Sequence, residues 1–500
     1  MDRGPELMLQ TPATPRLGET VLERLRRDGR VHSAGRRQGR GTIGIVHLGI
    51  GAFHRAHQAV FTEDAMDAEG CERWGICGVT QRSRAVVDQL APQGGLYTLL
   101  ERSYDDVSIR IVSSVHEVIS AHEQAEHLGA RLGDSGVDVV TMTVTEKGYR
   151  RDDNGRLDLA DPVVAADLAG GPPSSVIGQL VSGIRARRAG HGAPLTVISC
   201  DNLMANGTVV QSLVSDFCAA LPTVDGDPLH EWIEASVSFP NSVVDRIVPA
   251  TTDEDHAELE RLLGVRDAGL VVAEPFRQWV IQDDFAGPVP AWHRVGAVLT
   301  SDVAPHESAK LRLLNATHSL LAYTGALAGY ATIAEAVRDD RLADAAVSLM
   351  AEDAAPTLSP VEGVDLEAYQ RSVLERFANP ALHHETAQVA MDGSQKLPVR
   401  ILGTVRDRLR AGAEPYWAAL AVAAWMVYVA QAPDVDDPLA DQLREAAAGP
   451  ADRLVDRMLA VRQVFDPELA DSPMLRDLLQ EHVHVLHRSA SGGRGSGLTP

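Results

Sequence analysis

Ile43-Gly-Ile-Val-His-Leu48 runs straight into Gly49-Ile-Gly-Ala-Phe-His54. An apolar strand pattern leads into two closely spaced glycines and the start of a helix. Gly49 permits a tight turn, and Gly51 lets backbone amides approach a pyrophosphate at the helix N-terminus. The third glycine of such a fingerprint is replaced by His54. On its own the stretch fits a dinucleotide site and equally a glycine turn that only shapes the chain.

Outward from this turn, short apolar runs at residues 75–80, 107–112, 137–145 and 195–199 alternate with helical stretches. That alternation predicts an α/β domain with a mostly parallel sheet and crossover helices. After about residue 301 the pattern changes to Ala/Leu-rich segments at 308–330, 331–352 and 416–431, separated by an Asp/Pro loop at 432–438. A second domain made only of helices is expected there. With 500 residues, the chain exceeds what one core organises. The reading is therefore a flexible leader at 1–40, a dinucleotide-binding domain at 41–300, a helical substrate domain at 301–488 and a flexible tail at 489–500.

Hydrophobic residues make up 45% and charged residues 23%, the balance of a soluble globular chain, and no apolar run is long enough to span a membrane. A formal charge of −23 repels phosphate backbones and acidic membrane surfaces, so neither nucleic acid nor membrane is an expected partner. The same charge disfavours self-association, and a monomer fits. Cys71, Cys77, Cys200 and Cys218 form no CxxC pair and read as reduced thiols. Arginines cluster near the N-terminus without an apolar segment and cleavage site after them, so a cytoplasmic location is expected.

Of 46 Lys and Arg side chains only Lys147, Lys310 and Lys396 are lysines. Lysine can lose its proton when desolvated and arginine cannot, so a lysine kept against this background can mark chemistry. The segment Pro305-His-Glu-Ser-Ala-Lys310-Leu-Arg-Leu-Leu-Asn315-Ala-Thr-His318 reads as helix. At about 100° per residue, Lys310, His318 and Asn315 fall at about 0°, 80° and 140°, with Glu307 on the same side. In an apolar cleft the lysine would fall toward neutrality and take a proton from a hydroxyl, while an asparagine amide donates to an oxygen gaining charge. The helix is also compatible with a salt-bridged surface lysine and a satisfied core histidine.

Two other ways of activating a hydroxyl, a tyrosine base and a zinc ion, find no residues to carry them. No tyrosine precedes a lysine by four positions, and zinc-ligand spacing is missing, so no metal is expected. His54, His57, His383, His384, His482, His484 and His487 read as local or surface histidines. An acidic residue after the second strand would hydrogen-bond the ribose of NAD, but Gln81-Arg-Ser-Arg84 stands there. Its guanidinium groups could tolerate a 2′-phosphate, or could be two solvated arginines.

Together with Thr145-Glu-Lys-Gly-Tyr149, Ser199-Cys-Asp-Asn202, Ser238-Phe-Pro-Asn-Ser-Val-Val-Asp-Arg-Ile-Val-Pro249 and Asp392-Gly-Ser-Gln-Lys-Leu-Pro398, these motifs resemble the mannitol dehydrogenase family, the polyol-specific long-chain dehydrogenases. The likeness spans about residues 43–487. It implies a Rossmann-type domain followed by a helical domain, with substrate between them and no metal. It implies that Lys310 is the general base, Asn202 and Asn315 stabilise the developing oxyanion, His318 orients the substrate and Glu307 helps protons reach the base. Asp245 and Lys396 match substrate-hydroxyl contacts. Gly49, Gly51, Ala52, Phe53, His54, Arg55, Gln81 and Glu146 are the cofactor-binding candidates, and NAD is the expected cofactor with NADP as the alternative. D-mannitol and D-fructose are the first expected pair, D-mannonate and fructuronate the second. A sensor that binds nicotinamide without catalysis is a reading from another class, disfavoured by the intact Lys310, Asn315, His318 and Asn202 set.

Overall fold

The computed structural model describes residues 14–31, 41–360 and 364–491. Two compact units partition the chain, Met1–Val303 and Ala304–Pro500.

The first unit carries β1 (Ile43–Leu48), β2 (Gly75–Thr80), β3 (Tyr97–Arg102), β4 (Val107–Val112), β5 (Val115–Ser120) and β6 (Val139–Met142). These are followed by β7 (Leu195–Ser199), β8 (Val237–Ser238), β9 (Ser242–Asp245), β10 (Val271–Ala273), β11 (Gln278–Gln282) and β12 (Val298–Thr300). Six of them form one sheet in the order β5-β2-β1-β6-β7-β8, with every neighbouring pair parallel. Counted along the chain, that is the 3-2-1-4-5-6 order of a doubly wound Rossmann sheet. Successive side chains on each strand enter opposite cores. Val46, Val140 and Val197 belong to one, and Ile45, Val139 and Ile198 to the other. Both faces of the sheet are therefore covered, as a parallel sheet requires.

Two features depart from expectation. Residues 107–112 do form a strand, but β4 pairs antiparallel with β3 in a small separate sheet with β10. The leader is also not structureless throughout: Glu19–Arg27 is a helix whose Leu22 and Leu25 pack with Leu259, Leu263 and Leu270. The rest of the expected leader, residues 1–13 and 32–40, and residues 492–500 of the expected tail lie outside the described residues.

The second unit is helical. At its centre Tyr416–Gln431 is buried almost all round, which is what an apolar helix without a polar face demands. It packs against Ala316–Ala328 and Pro473–Ser491. The expected helix at 331–352 is broken: Asp339 caps a new helix, Asp340–Ser348, by accepting from the Arg341 amide. Among the described residues three helical stretches contain π turns, at Lys310–Asn315, Leu349–Ala354 and Pro398–Leu402.

Candidate active-site residues

The order of the parallel sheet reverses between β1 and β6, and ligands of such sheets bind beyond the strand C-termini at that reversal. The glycine turn sits there. Gly49 has φ +100°, and a Cβ on it would lie 2.0 Å from Thr143 O. Only glycine fits. A Cβ on Gly51 would meet nothing nearer than Gly49 O at 3.8 Å, so the space above that residue is open.

A buried relay holds the turn. The Thr143 hydroxyl donates to Gly49 O (2.8 Å), leaving its oxygen to accept from His47 Nε2 (2.9 Å), while Thr141 donates to His47 Nδ1 (2.7 Å). His47 is thus fixed as one neutral tautomer, and burial pushes its pKa down to about 3. His54 stacks on it with ring centroids 3.4 Å apart. This accounts for the missing third glycine, since the imidazole that replaces it fills the interior. Arg55 donates to Gly51 O and Gly269 O, and His57 Nε2 pairs with Gln278 O at 2.8 Å. The histidines at 54 and 57 are therefore core residues and not surface ones. At positions 54 and 55 only the backbone is left to face a ligand, whereas Ala52 and Phe53 are partly exposed.

The loops after β6 and β7 are joined by Asp201. Its carboxylate accepts from Val144 N (3.0 Å), Thr145 N (2.9 Å) and Tyr149 OH (2.6 Å). Thr145, with φ +67°, is held in a conformation that β-branched residues avoid. Glu146 follows it, exposed. Asn206 continues the network to Asp201 O and Ser242 O, which sets the start of β9. Asn202 lies exposed on this loop and Asp245 is buried at the end of β9. Arg246, its side chain wholly buried, donates to Ala56 O and Glu274 O and pairs with Glu101. These contacts explain why the motifs are long, because most of their residues brace the few that remain exposed.

After β2, Gln81 keeps a buried Nε2 without a hydrogen-bond partner. Arg84 is engaged by Asp88 (3.0 Å) and Glu123, and Arg82 is exposed. An open approach to Gly51 and an orphaned amide just after β2 fit a dinucleotide.

In the second unit the expected α-helical face is altered by a π turn spanning Lys310–Asn315, closed where Ala316 N donates to Leu311 O. A turn closed by i→i+5 bonds brings residue 315 nearly above residue 310, so the 140° separation expected from a plain α-helix shrinks. Lys310 is 9% exposed; Asn315 and His318 are likewise buried, and Glu307 is half-buried. Asn315 Nδ2 and His318 Nε2, three residues apart on one helix, have no hydrogen-bond partner among the described residues. Buried polar atoms without a protein partner occur elsewhere in the described residues too, and these two, close together on the helix of Lys310, are open to polar ligand groups.

His318 stacks on Phe377 (4.7 Å) and meets His384 edge-on (4.6 Å). Burial first, then the neighbours His384, Arg400, Lys396 and Arg376, hold it well below the usual histidine range. Lys396 donates to Val389 O (3.2 Å), and its segment is pinned where Ser394 bonds Asp437 and Gly393 fits against Trp425. Of the basic groups near His318 the sequence reading named Lys396 and missed Arg376 and Arg400. The i,i+4 spacing of Lys396 and Arg400 was the available signal. Among the described residues no group of three or more His, Cys, Asp or Glu side chains could hold a metal ion, and no helix is long and apolar enough to cross a membrane. All four cysteines are free.

Residues 43–294 match the mannitol dehydrogenase Rossmann domain and residues 302–487 the mannitol dehydrogenase C-terminal domain. The chain belongs to the mannitol dehydrogenase family. It is 43% identical to the uncharacterized oxidoreductase YeiQ of Escherichia coli (strain K12) over 86% of this chain and 89% of that one. Identity to the D-mannonate oxidoreductase of the same organism is 42%, covering 85% of this chain and 89% of the relative. Pseudomonas fluorescens mannitol 2-dehydrogenase, solved as a ternary complex with NAD and D-mannitol, superposes with a TM-score of 0.85 at 35% identity, over 94% of this chain and 97% of that one. The Rossmann-type fold and an oxidoreductase activity on CH–OH groups follow from membership of this family.

Proposed function

We propose that the chain is an NAD-dependent dehydrogenase interconverting a secondary alcohol of an open-chain sugar derivative and its ketone, with Lys310 moving the hydroxyl proton. The observation that carries this is the pair of orphaned buried atoms, Asn315 Nδ2 and His318 Nε2, on the π-turned helix of buried Lys310. We assign the cofactor to the Met1–Val303 unit and the proton chemistry to the Ala304–Pro500 unit.

NAD, when bound, supplies the acceptor for the carbinol hydride. Gly49, Gly51, Ala52 and Phe53 would hold its pyrophosphate, with Gln81 and Glu146 beside the rest of the cofactor. NAD is favoured over NADP because Arg84, one of two guanidinium groups available for a 2′-phosphate, is already neutralised by Asp88 and Glu123. In oxidation, neutral Lys310 accepts the hydroxyl proton and passes it outward by way of Glu307. Asn315 Nδ2 donates to the oxygen as it becomes a carbonyl, and Asn202 is assigned the same task. His318, held neutral, offers one donor and one acceptor and so orients a hydroxyl in either direction of reaction. Asp245 and Lys396 are assigned to further substrate hydroxyls.

D-mannitol and D-fructose are the first substrate pair, by the likeness to the solved mannitol complex. D-mannonate and fructuronate are the second, favoured by the greater identity to the D-mannonate oxidoreductase. The free cysteines suit a reducing compartment, and we assign the protein to the cytoplasm. Near-ultraviolet absorbance of reduced nicotinamide, with D-mannitol, D-arabinitol, D-sorbitol and D-mannonate each offered with NAD and NADP, tests the reading. NAD reduction with at least one substrate is expected. Cofactor binding without turnover on all four would instead favour the silent sensor.

A further inference from the structure

A third unpartnered atom stands beside Asn315 Nδ2 and His318 Nε2. His384 meets His318 edge-on with ring centroids 4.6 Å apart, and its Nδ1 is buried without a hydrogen-bond partner among the described residues. The two rings are therefore in contact without bonding each other, and each keeps one buried nitrogen unused. Phe377 stacks on His318 at 4.7 Å, which holds that ring against turning. The backbone around His384 is fixed as well. Its carbonyl accepts from Ile333 N (2.9 Å), and Glu385 forms an antiparallel bridge with Thr332. Thr386 donates from its amide to Ala331 O (2.9 Å) and from its hydroxyl to Tyr330 O (2.9 Å). Just before His384, His383 is held at φ +44°, a left-handed conformation that a residue with a Cβ keeps only where its surroundings impose it. Strain of this kind collects at ligand sites.

Both rings are neutral near pH 7. Burial and then Lys396 lower His384 to about 4, and His318 lies well below the usual histidine range. A neutral imidazole has one N–H donor and one bare acceptor nitrogen, so two of them can present one of each toward a ligand. A hydroxyl suits such a pair without either ring changing its charge, because it donates one hydrogen bond and accepts another. We propose that one hydroxyl of the open-chain substrate bridges His318 Nε2 and His384 Nδ1, which makes His384 a specificity-determining contact for that hydroxyl. This rests on the reading of His318 as a substrate-facing residue. An alcohol that lacks the hydroxyl, or carries it in the opposite configuration, leaves two buried nitrogens unpaired and is discriminated against for that reason.

The test uses two substitutions that a packing role and a hydrogen-bonding role would rank in opposite order. His384→Phe keeps an aromatic edge against His318 and removes the nitrogen. His384→Asn gives up the ring and places an amide near the position of Nδ1. On the preferred substrate with NAD, His384→Phe is expected to lower kcat/KM by about 10- to 100-fold, mainly through KM and at unchanged NAD affinity. His384→Asn should come within about fivefold of wild type. A His384→Phe enzyme that equals or exceeds His384→Asn, or that stays within about twofold of wild type, overturns the proposal. A crystal structure of the wild-type protein with NADH and the alcohol reads the same contact without any substitution, and it decides the matter if neither variant folds as judged by circular dichroism. One substrate oxygen is expected at about 2.7–3.2 Å from both His318 Nε2 and His384 Nδ1. A substrate oxygen on His318 alone, or a water in place of the bridging hydroxyl, overturns the proposal and leaves the reading of His318 intact. A substrate that reaches neither nitrogen overturns both.

Discussion

The two units prepare for a ligand in opposite ways. In the first, His47 is committed to Thr141 and Thr143, Asp201 to Val144, Thr145 and Tyr149, and Arg55 to two carbonyls, while the partnerless ring nitrogens of His54 are packed into the interior behind the turn. What faces outward is mainly backbone, held rigid. In the second, the helix itself departs from regular geometry at Lys310–Asn315 and carries buried side-chain atoms with no partner. A cofactor that is the same in every turnover is met by a fixed backbone shape. A substrate whose oxygen changes charge is met by side chains left available for that change.

The comparison can be broken first at Asn315. Its amide is assigned to an oxygen that gains charge, so Asn315→Ala should lower kcat by about 100- to 1000-fold with little change in NAD affinity. A fall in cofactor binding instead would mean that the residue shapes the fold. On the other side, Gly49→Ala forces a Cβ to within 2.0 Å of Thr143 O at φ +100°. A loss of about 3 kcal/mol in denaturant unfolding is expected, together with loss of NAD binding.

Acid sharpens the contrast between buried histidines and exposed charge. Burial holds His47 and His57 at about 3, with the Gln278 carbonyl partly opposing it at His57, while burial and then Lys396 hold His384 at about 4. Their pKa values are depressed in the folded state, so below pH 6.5 the unfolded chain binds protons that the native one refuses. Stability is then lost as pH falls from about 6.5 toward 3, at about 1.4 kcal/mol per pH unit for each such group. Denaturation midpoints at pH 7.5 and pH 5 measure it, and an unchanged midpoint would contradict the burial. The smallest effect belongs to exposed Arg84, already paired with Asp88 and Glu123. Arg84→Ala should shift the NAD to NADP preference by less than about threefold.

Much of this was legible in the sequence. Residues 43–48, 75–80 and 195–199 carry enough apolar residues to fix strands, and residues 416–431 enough to fix a buried helix. β8, β10 and β12 are too short to show any periodicity, and β4 looks like any other strand until its antiparallel partner is known. The π turn at Lys310–Asn315 is invisible because six residues carry nearly the same pattern in either helix. Of the site, the order Lys310, Asn315, His318 could be read directly. His54 was read as a ligand contact or surface residue because nothing local announces that it stacks on His47. Arg376 and His384 were missed because only tertiary packing brings them to His318.

The central claim is that Lys310 moves the proton. The most direct measurement is NADH formation by Lys310→Ala and Lys310→Arg proteins on whichever substrate the wild-type enzyme prefers, with NAD affinity followed by fluorescence. Both variants should lose about 100- to 10,000-fold in kcat at unchanged NAD affinity, because neither alanine nor an arginine that keeps its proton can act as a base. Turnover within a few fold of wild type in the arginine variant would show that the lysine only supplies positive charge and that the base lies elsewhere.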